Sequence, residues 1–178
     1  MADEKRTETI VLGGGCFWCV EAVYRRINGI VALQSGYAGG HIPNPTYREV
    51  CSGKTGHAEV VEVTFDPAII SLERVVDLFW IAHDPTTRNR QGADVGTQYR
   101  SVVYLCDPAQ EAIVRSSMEK AQEQFASPIV TEIAPLDQFY PAEPYHQEYY
   151  ELNREQGYCR LVIAPKLEKL GLQREPGA

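Results

Sequence analysis

Residues 8–29 read ETIVLGGGCFWCVEAVYRRING, and a change of period inside this stretch sets the architecture. Residues 8–12 form a short apolar run rich in β-branched side chains, the composition of a strand. Beyond the glycines, Val20, Val23, Tyr24 and Ile27 recur at helical spacing, so a helix is expected from about Cys16, with Gly29 stopping it. A strand that turns on glycine directly into a helix implies a sheet with helices packed on it.

Working outward, residues 30–37 read as a second strand. The polar segment AGGHIPNPTYREVCSGKTGH leaves room for no more than a short turn of helix. From 58 to 65 the chain alternates, with Val61, Val63 and Phe65 on one face and Glu62 and Thr64 on the other. Leu72, Val75, Val76 and Phe79 mark an amphipathic helix ending near His83. The long polar loop HDPTTRNRQGADVGTQ follows, of the kind that often carries function. A strand over 101–105 leads to a helix started by Asp107, Pro108 and Gln110, with Val114, Met118, Ala121 and Phe125 directed inward. A further strand is expected over 129–133. The tyrosine-rich remainder, FYPAEPYHQEYYELNREQGYCRLVIAPKLEKL, has a short helix at each end. The expected fold is α+β: a two-layer sandwich, one mixed central sheet with helices on it and an irregular C-terminal segment wrapping the core. Residues 1–178 read as a single catalytic domain with short polar tails at 1–7 and 171–178.

A net charge of −7 and a pI near 5.1 argue against a nucleic-acid partner. No apolar run reaches the length of a membrane span, and the polar N-terminus lacks a signal-peptide pattern, so a cytoplasmic protein is expected. The five cysteines, an odd number, point to reactive thiols more than to a disulfide scaffold.

Cys16 falls where a helix N-terminus stabilises an anion, which would lower its thiol pKa, and the glycines before it would leave a substrate free to approach closely. Cys19 lies one turn further on the same face, as a disulfide partner or simply as core. A zinc site lacks a second cysteine pair, and the His57-Ala58-Glu59 stretch has the wrong order relative to the cysteines for a zinc deaminase. No metal and no cofactor is expected. Glu59 shares the parity of Val61, Val63 and Phe65. It is either a buried acid of raised pKa or a solvated group at a strand end beside Lys54. Asp94, Tyr47 and Tyr99 sit in or beside polar loops, and His146 in PYHQEYY is a further base or a structural ring. These residues leave room for a thioredoxin-like dithiol–disulfide exchanger using Cys16 and Cys19, a zinc hydrolase, or a binding module with an aromatic wall.

Taken together, GGGCFWC, GYAGG, NPTYREVCSGKTGHAEVVEVTFDP, HDPTTRNRQGADVGTQYRS, FYPAEPYHQEYY and GYC resemble peptide methionine sulfoxide reductases of the A class, in the family's order and over about residues 9–165. The resemblance implies a repair oxidoreductase acting on the S epimer, with oxidised proteins or free methionine sulfoxide as substrate. Cys16 would attack the sulfoxide sulfur and Glu59 would protonate its oxygen. Tyr47 and Tyr99 would bind that oxygen, Asp94 would hold the polar side, and Phe17 and Trp18 would take the methyl group. The resulting sulfenic acid would condense with a second thiol and be regenerated by thioredoxin. By family position that thiol is Cys159. Cys19, often glycine in the family, is the other candidate, and Cys51 and Cys106 read as structural.

Overall fold

The computed structural model describes residues 6–172. The tails expected at 1–7 and 171–178 lie largely outside the described residues. Strand β1 (Glu8–Gly14) runs into helix α1 (Phe17–Tyr24), followed by β2 (Ile30–Ala38), a short α2 (Tyr47–Cys51) and β3 (Ala58–Phe65). Helix α3 (Leu72–Ala82) precedes a two-stranded hairpin, β4 (Arg90–Gln91) and β5 (Asp94–Val95). Then come β6 (Ser101–Leu105), α4 (Gln110–Gln122), β7 (Glu132–Pro135), β8 (Phe139–Pro141), α5 (Tyr149–Leu152) and α6 (Ala164–Lys169). Single 3₁₀ turns occupy Thr97–Tyr99 and Pro144–His146, and a π-helical turn spans Cys159–Ile163.

The six-stranded sheet has the order β7-β6-β1-β3-β2-β8. Only the β6–β7 pair is parallel, so the sheet is mixed. Strand parity divides the core. Ile10, Leu12, Tyr37, Val61, Val63 and Phe65 face the helices in the main cluster, and Val11, Ala58, Val60 and Val102 form a smaller cluster on the opposite face. Burying each such side chain contributes about 1.5–3 kcal/mol, so a one-residue slip of β3 would exchange the two sets at great cost. Glu59 keeps the parity of Val61 and is thereby carried to the helix side.

Several boundaries differ from the sequence pattern for identifiable reasons. Helix α1 ends at Tyr24 because Arg26 and Ile27 bond only three residues back, in tighter turns that continue to Gly29. Ile129 and Val130 spend their N–H groups on the Gln122 side chain and the Pro85 carbonyl, so the last long strand begins later, at Glu132. Regular α4 starts at Gln110, after an Asp107 side-chain bond to the Ala109 N–H at 2.8 Å. Its inner face is Val114 with Ser117, which receives the Trp80 indole N–H, whereas Met118 and Ala121 are only half-buried. The long polar loop after α3 is not structureless but holds the β4–β5 hairpin.

The glycines of β1 also have a different task from clearing a path to the thiol. A Cβ on Gly13 would stand 2.8 Å from Val102, on Gly14 2.9 Å from the His83 ring, and on Gly15 2.6 Å from Gln91. Protein side chains take up that space. Gly15 in addition needs a φ of 89° to turn the chain into α1.

Candidate active site

Cys16 caps α1: its carbonyl accepts the Cys19 N–H at 3.1 Å, and its side chain is 7% exposed. Glu59, from the start of β3, is 1% exposed beneath it. One Glu59 oxygen accepts the Phe17 N–H at 3.3 Å, while the other is buried with no hydrogen bond among the described residues. Burial pushes this carboxyl up to about 8, with the nearby charges of Asp94 and Cys19 adding to the effect. Of its two sequence readings, the buried acid is the one the fold adopts.

The phenols converge on this carboxyl. Tyr47 opens α2, where Thr46 and Glu49 form a reciprocal cap, and Tyr99 sits in the 3₁₀ turn before β6. Burial and the proximity of Glu59 raise both hydroxyls well above the usual phenol range, so they stay protonated hydrogen-bond donors. Tyr47 is held by its own N–H donating to Glu143 at 3.0 Å, and Glu143 also accepts the Tyr37 hydroxyl at 2.9 Å.

Phe17 and Trp18 begin the aromatic side. Phe17 stacks towards Tyr47 with centroids 6.3 Å apart. The Trp18 indole lies flat on Tyr149 at 3.7 Å and donates its N–H to His146 Nδ1 at 3.0 Å. That bond assigns the proton of His146 to Nε2, which is buried without a partner among the described residues.

The two thiols of the pair perturb one another. Burial pushes Cys16 well up, and the Cys19 thiol and Glu59 push it further. The hydrogen bond from Cys16 brings Cys19 down to about 7. The lowering expected at Cys16 from the helix end is therefore reversed, because desolvation outweighs the helix dipole at a site this enclosed. Tyr158 closes the cluster, donating to Asp94 at 2.7 Å and lying 3.7 Å from Cys19 Sγ. Cys159 follows it in the chain and is buried; burial raises its thiol, and the charge of Cys19 adds to that. Cys51 and Cys106 are exposed.

The nine residues singled out in the sequence thus come together around α1. Sequence reasoning missed Tyr149, Tyr158 and Glu143, and left His146 undecided. The density of tyrosines in the C-terminal segment was the only signal for them. His57 serves the scaffold: its ring accepts the Gly40 N–H at 3.0 Å and bonds the Ile42 carbonyl at 2.7 Å. Among the described residues, no three His, Cys, Asp or Glu side chains group as metal ligands.

A family model described as peptide methionine sulfoxide reductase matches residues 8–176. The peptide methionine sulfoxide reductase MsrA of Leptospira borgpetersenii is 54% identical over 162 residues, covering 91% of this chain and 92% of that protein. The crystal structure of reduced Mxr1 from Saccharomyces cerevisiae superposes with a TM-score of 0.83 at 38% identity, covering 89% of this chain and 92% of that one. Mxr1 in complex with Trx2 superposes with a TM-score of 0.59 at 28% identity, covering 84% and 88%.

Proposed function

The chain belongs to the peptide methionine sulfoxide reductase family, and we propose that Cys16 and Glu59 carry its chemistry on the S epimer of methionine sulfoxide. The enzyme reduces methionine sulfoxide to methionine and is regenerated by thioredoxin. The observation that carries the residue assignment is the Glu59 carboxyl: buried, raised to about 8, with one oxygen left without a partner beside Cys16.

The Cys16 sulfur attacks the sulfoxide sulfur while Glu59 gives its proton to the sulfoxide oxygen. The hydroxyl then passes from the substrate sulfur to Cys16 as the newly formed bond between the two sulfurs breaks, so that methionine leaves and Cys16 is left as a sulfenic acid. The sulfoxide gains the two electrons that Cys16 loses, and the proton released by the Cys16 thiol replaces the one Glu59 gave. Tyr47 and Tyr99 donate to the oxygen, Asp94 keeps Tyr158 in place, and Phe17 with Trp18 walls in the methyl group. Fixing a polar oxygen on one side and an apolar arm on the other selects one configuration at sulfur.

The sulfenic acid then condenses with a thiol, expelling water. The mutual perturbation of the Cys16 and Cys19 thiols supports Cys19 as the first partner, and the influence of the Cys19 charge on Cys159 supports that thiol's taking over the disulfide by exchange. Cys159 would in that case present the disulfide to thioredoxin.

Oxidised proteins and free methionine sulfoxide both fit this chemistry, and protein repair follows from the first. The six-stranded sheet, with core clusters on both of its faces, supports reading the chain as a single catalytic domain. No described helix is long and apolar enough to cross a membrane.

The test is Cys16→Ser. It should abolish methionine formation from the S sulfoxide while circular dichroism shows an intact fold. Undiminished turnover would end the assignment.

A further inference from the structure

Glu21 is buried, 2% exposed, and no step of the reaction uses it. It stands three residues after Trp18 on α1, so both side chains leave the same side of the helix. One Glu21 oxygen accepts the Glu148 backbone N–H at 2.8 Å and the Arg25 guanidinium, and the other accepts the Ser35 hydroxyl at 3.0 Å.

Glu148 has a left-handed backbone, with φ 54° and ψ 33°. For a residue with a side chain that conformation costs about 1–2 kcal/mol, so its surroundings must impose it. The neighbour Gln147 is pinned as well. Its amide accepts the Ser35 N–H and donates to the Ser35 carbonyl, both at 2.9 Å, extending the β2–β8 pairing by a side chain.

The residues flanking this pinned pair are the two that grip the indole. His146 takes the Trp18 N–H, and Tyr149 lies 3.7 Å beneath its plane, tilted by only 8°. Residues 146–149 are therefore fastened in the middle and hold Trp18 at both ends.

We propose that Glu21 is a positioning residue for the substrate pocket: by binding the Glu148 N–H it fixes the turn at 146–149, and that turn sets the plane of Trp18. The consequence for substrate rests on the reading of Trp18 as the pocket wall. Glu21 touches neither the substrate nor the reacting sulfur.

The experiment compares Glu21→Asp with Glu21→Gln in a Trp80→Phe background, where Trp18 is the sole tryptophan. Aspartate keeps the charge but draws the carboxyl back by one carbon–carbon bond, about 1.5 Å, beyond reach of Glu148. Glutamine keeps the length, accepting from Glu148 and donating to Ser35. Glu21→Asp should raise acrylamide quenching of Trp18 and raise KM for methionine S-sulfoxide about tenfold with kcat within about threefold, the pattern of lost ground-state and transition-state binding alike. Glu21→Gln should recover both.

Unchanged Trp18 quenching in folded Glu21→Asp overturns the inference, as does Glu21→Gln matching Glu21→Asp. Increased quenching with an unchanged KM upholds Glu21 as the anchor of Trp18 and removes Trp18 from the substrate pocket. Should Glu21→Asp not fold, Ser35→Ala, which frees one Glu21 oxygen, carries the same comparison. Raised quenching is then expected, and unchanged quenching overturns the proposal.

Discussion

The backbone N–H of Phe17 donates to Glu59 across 3.3 Å, joining the residue after Cys16 to the buried carboxyl. This one bond fixes the carboxyl relative to the thiol, and it uses one carboxyl oxygen while the other has no hydrogen bond among the described residues. Because the donor is a backbone group, no substitution at Phe17 other than proline removes it.

Replacing Glu59 separates its two capacities. Glu59→Gln retains a hydrogen-bond donor for the sulfoxide oxygen and should keep partial activity. Glu59→Ala should lose on the order of 10²-fold or more, the usual worth of a positioned acid. Single-turnover methionine release measures both, and equal rates would remove Glu59 as the acid. In the unsubstituted enzyme this rate should fall as pH rises through about 8, where the carboxyl ionises.

The same group sets a pH dependence of stability. Its pKa rises from 4.5 unfolded to about 8 folded, so between these values the folded state holds the extra proton. Stability from this group is complete below pH 4.5 and is lost by up to about 1.4 kcal/mol per pH unit on the way to pH 8. Urea midpoints of Glu59→Gln should lack that slope, and the variant should be more stable than the parent at pH 8. A parallel pH profile in the two proteins would contradict this.

The thiol pair should titrate as a unit, releasing one proton near pH 7 from the Cys19 side. Thiolate absorbance near 240 nm follows it. Cys16→Ala removes the hydrogen bond that is the largest cause of the lowering and should move the remaining step above pH 8.

For resolution, one equivalent of substrate followed by rapid acid quench and peptide mapping should first give the Cys16–Cys19 disulfide. Cys19→Ser should instead accumulate a sulfenic acid trappable by dimedone. Early appearance of Cys16–Cys159 in the parent enzyme would make Cys159 the direct resolver. Tyr158→Phe, which loses the bonds to both Cys19 and Asp94, should slow disulfide formation and spare methionine release.

Gly14→Ala should destabilise the fold by about 1–3 kcal/mol, the cost of overpacking, because its Cβ would meet the buried His83 ring at 2.9 Å. Chemical denaturation reads this directly. A neutral effect would mean that His83 yields, against its bonds to the Phe79 carbonyl at 2.6 Å and Ser101 at 2.7 Å.

What the sequence determined by itself was local. The passage from strand to glycine to helix at 8–24, the alternation at 58–65 and the parity of Glu59 are backbone periodicities, and periodicity is written in consecutive residues. The motif order likewise carried the family, and from it come the roles proposed for Cys16, Tyr47, Tyr99 and Asp94. Tertiary structure decided everything that depends on distance between remote segments. It placed Gln91, His83 and Val102 in the space left by the three glycines, so their smallness serves packing. It enclosed Cys16 so tightly that desolvation reverses the effect of the helix end on its thiol. And it brought residues 146–149 and Tyr158 onto α1, over 120 residues away in the chain, to hold Trp18 and Cys19. Such contacts leave no periodic trace, because the turn residues that make them are chosen for a partner on another element.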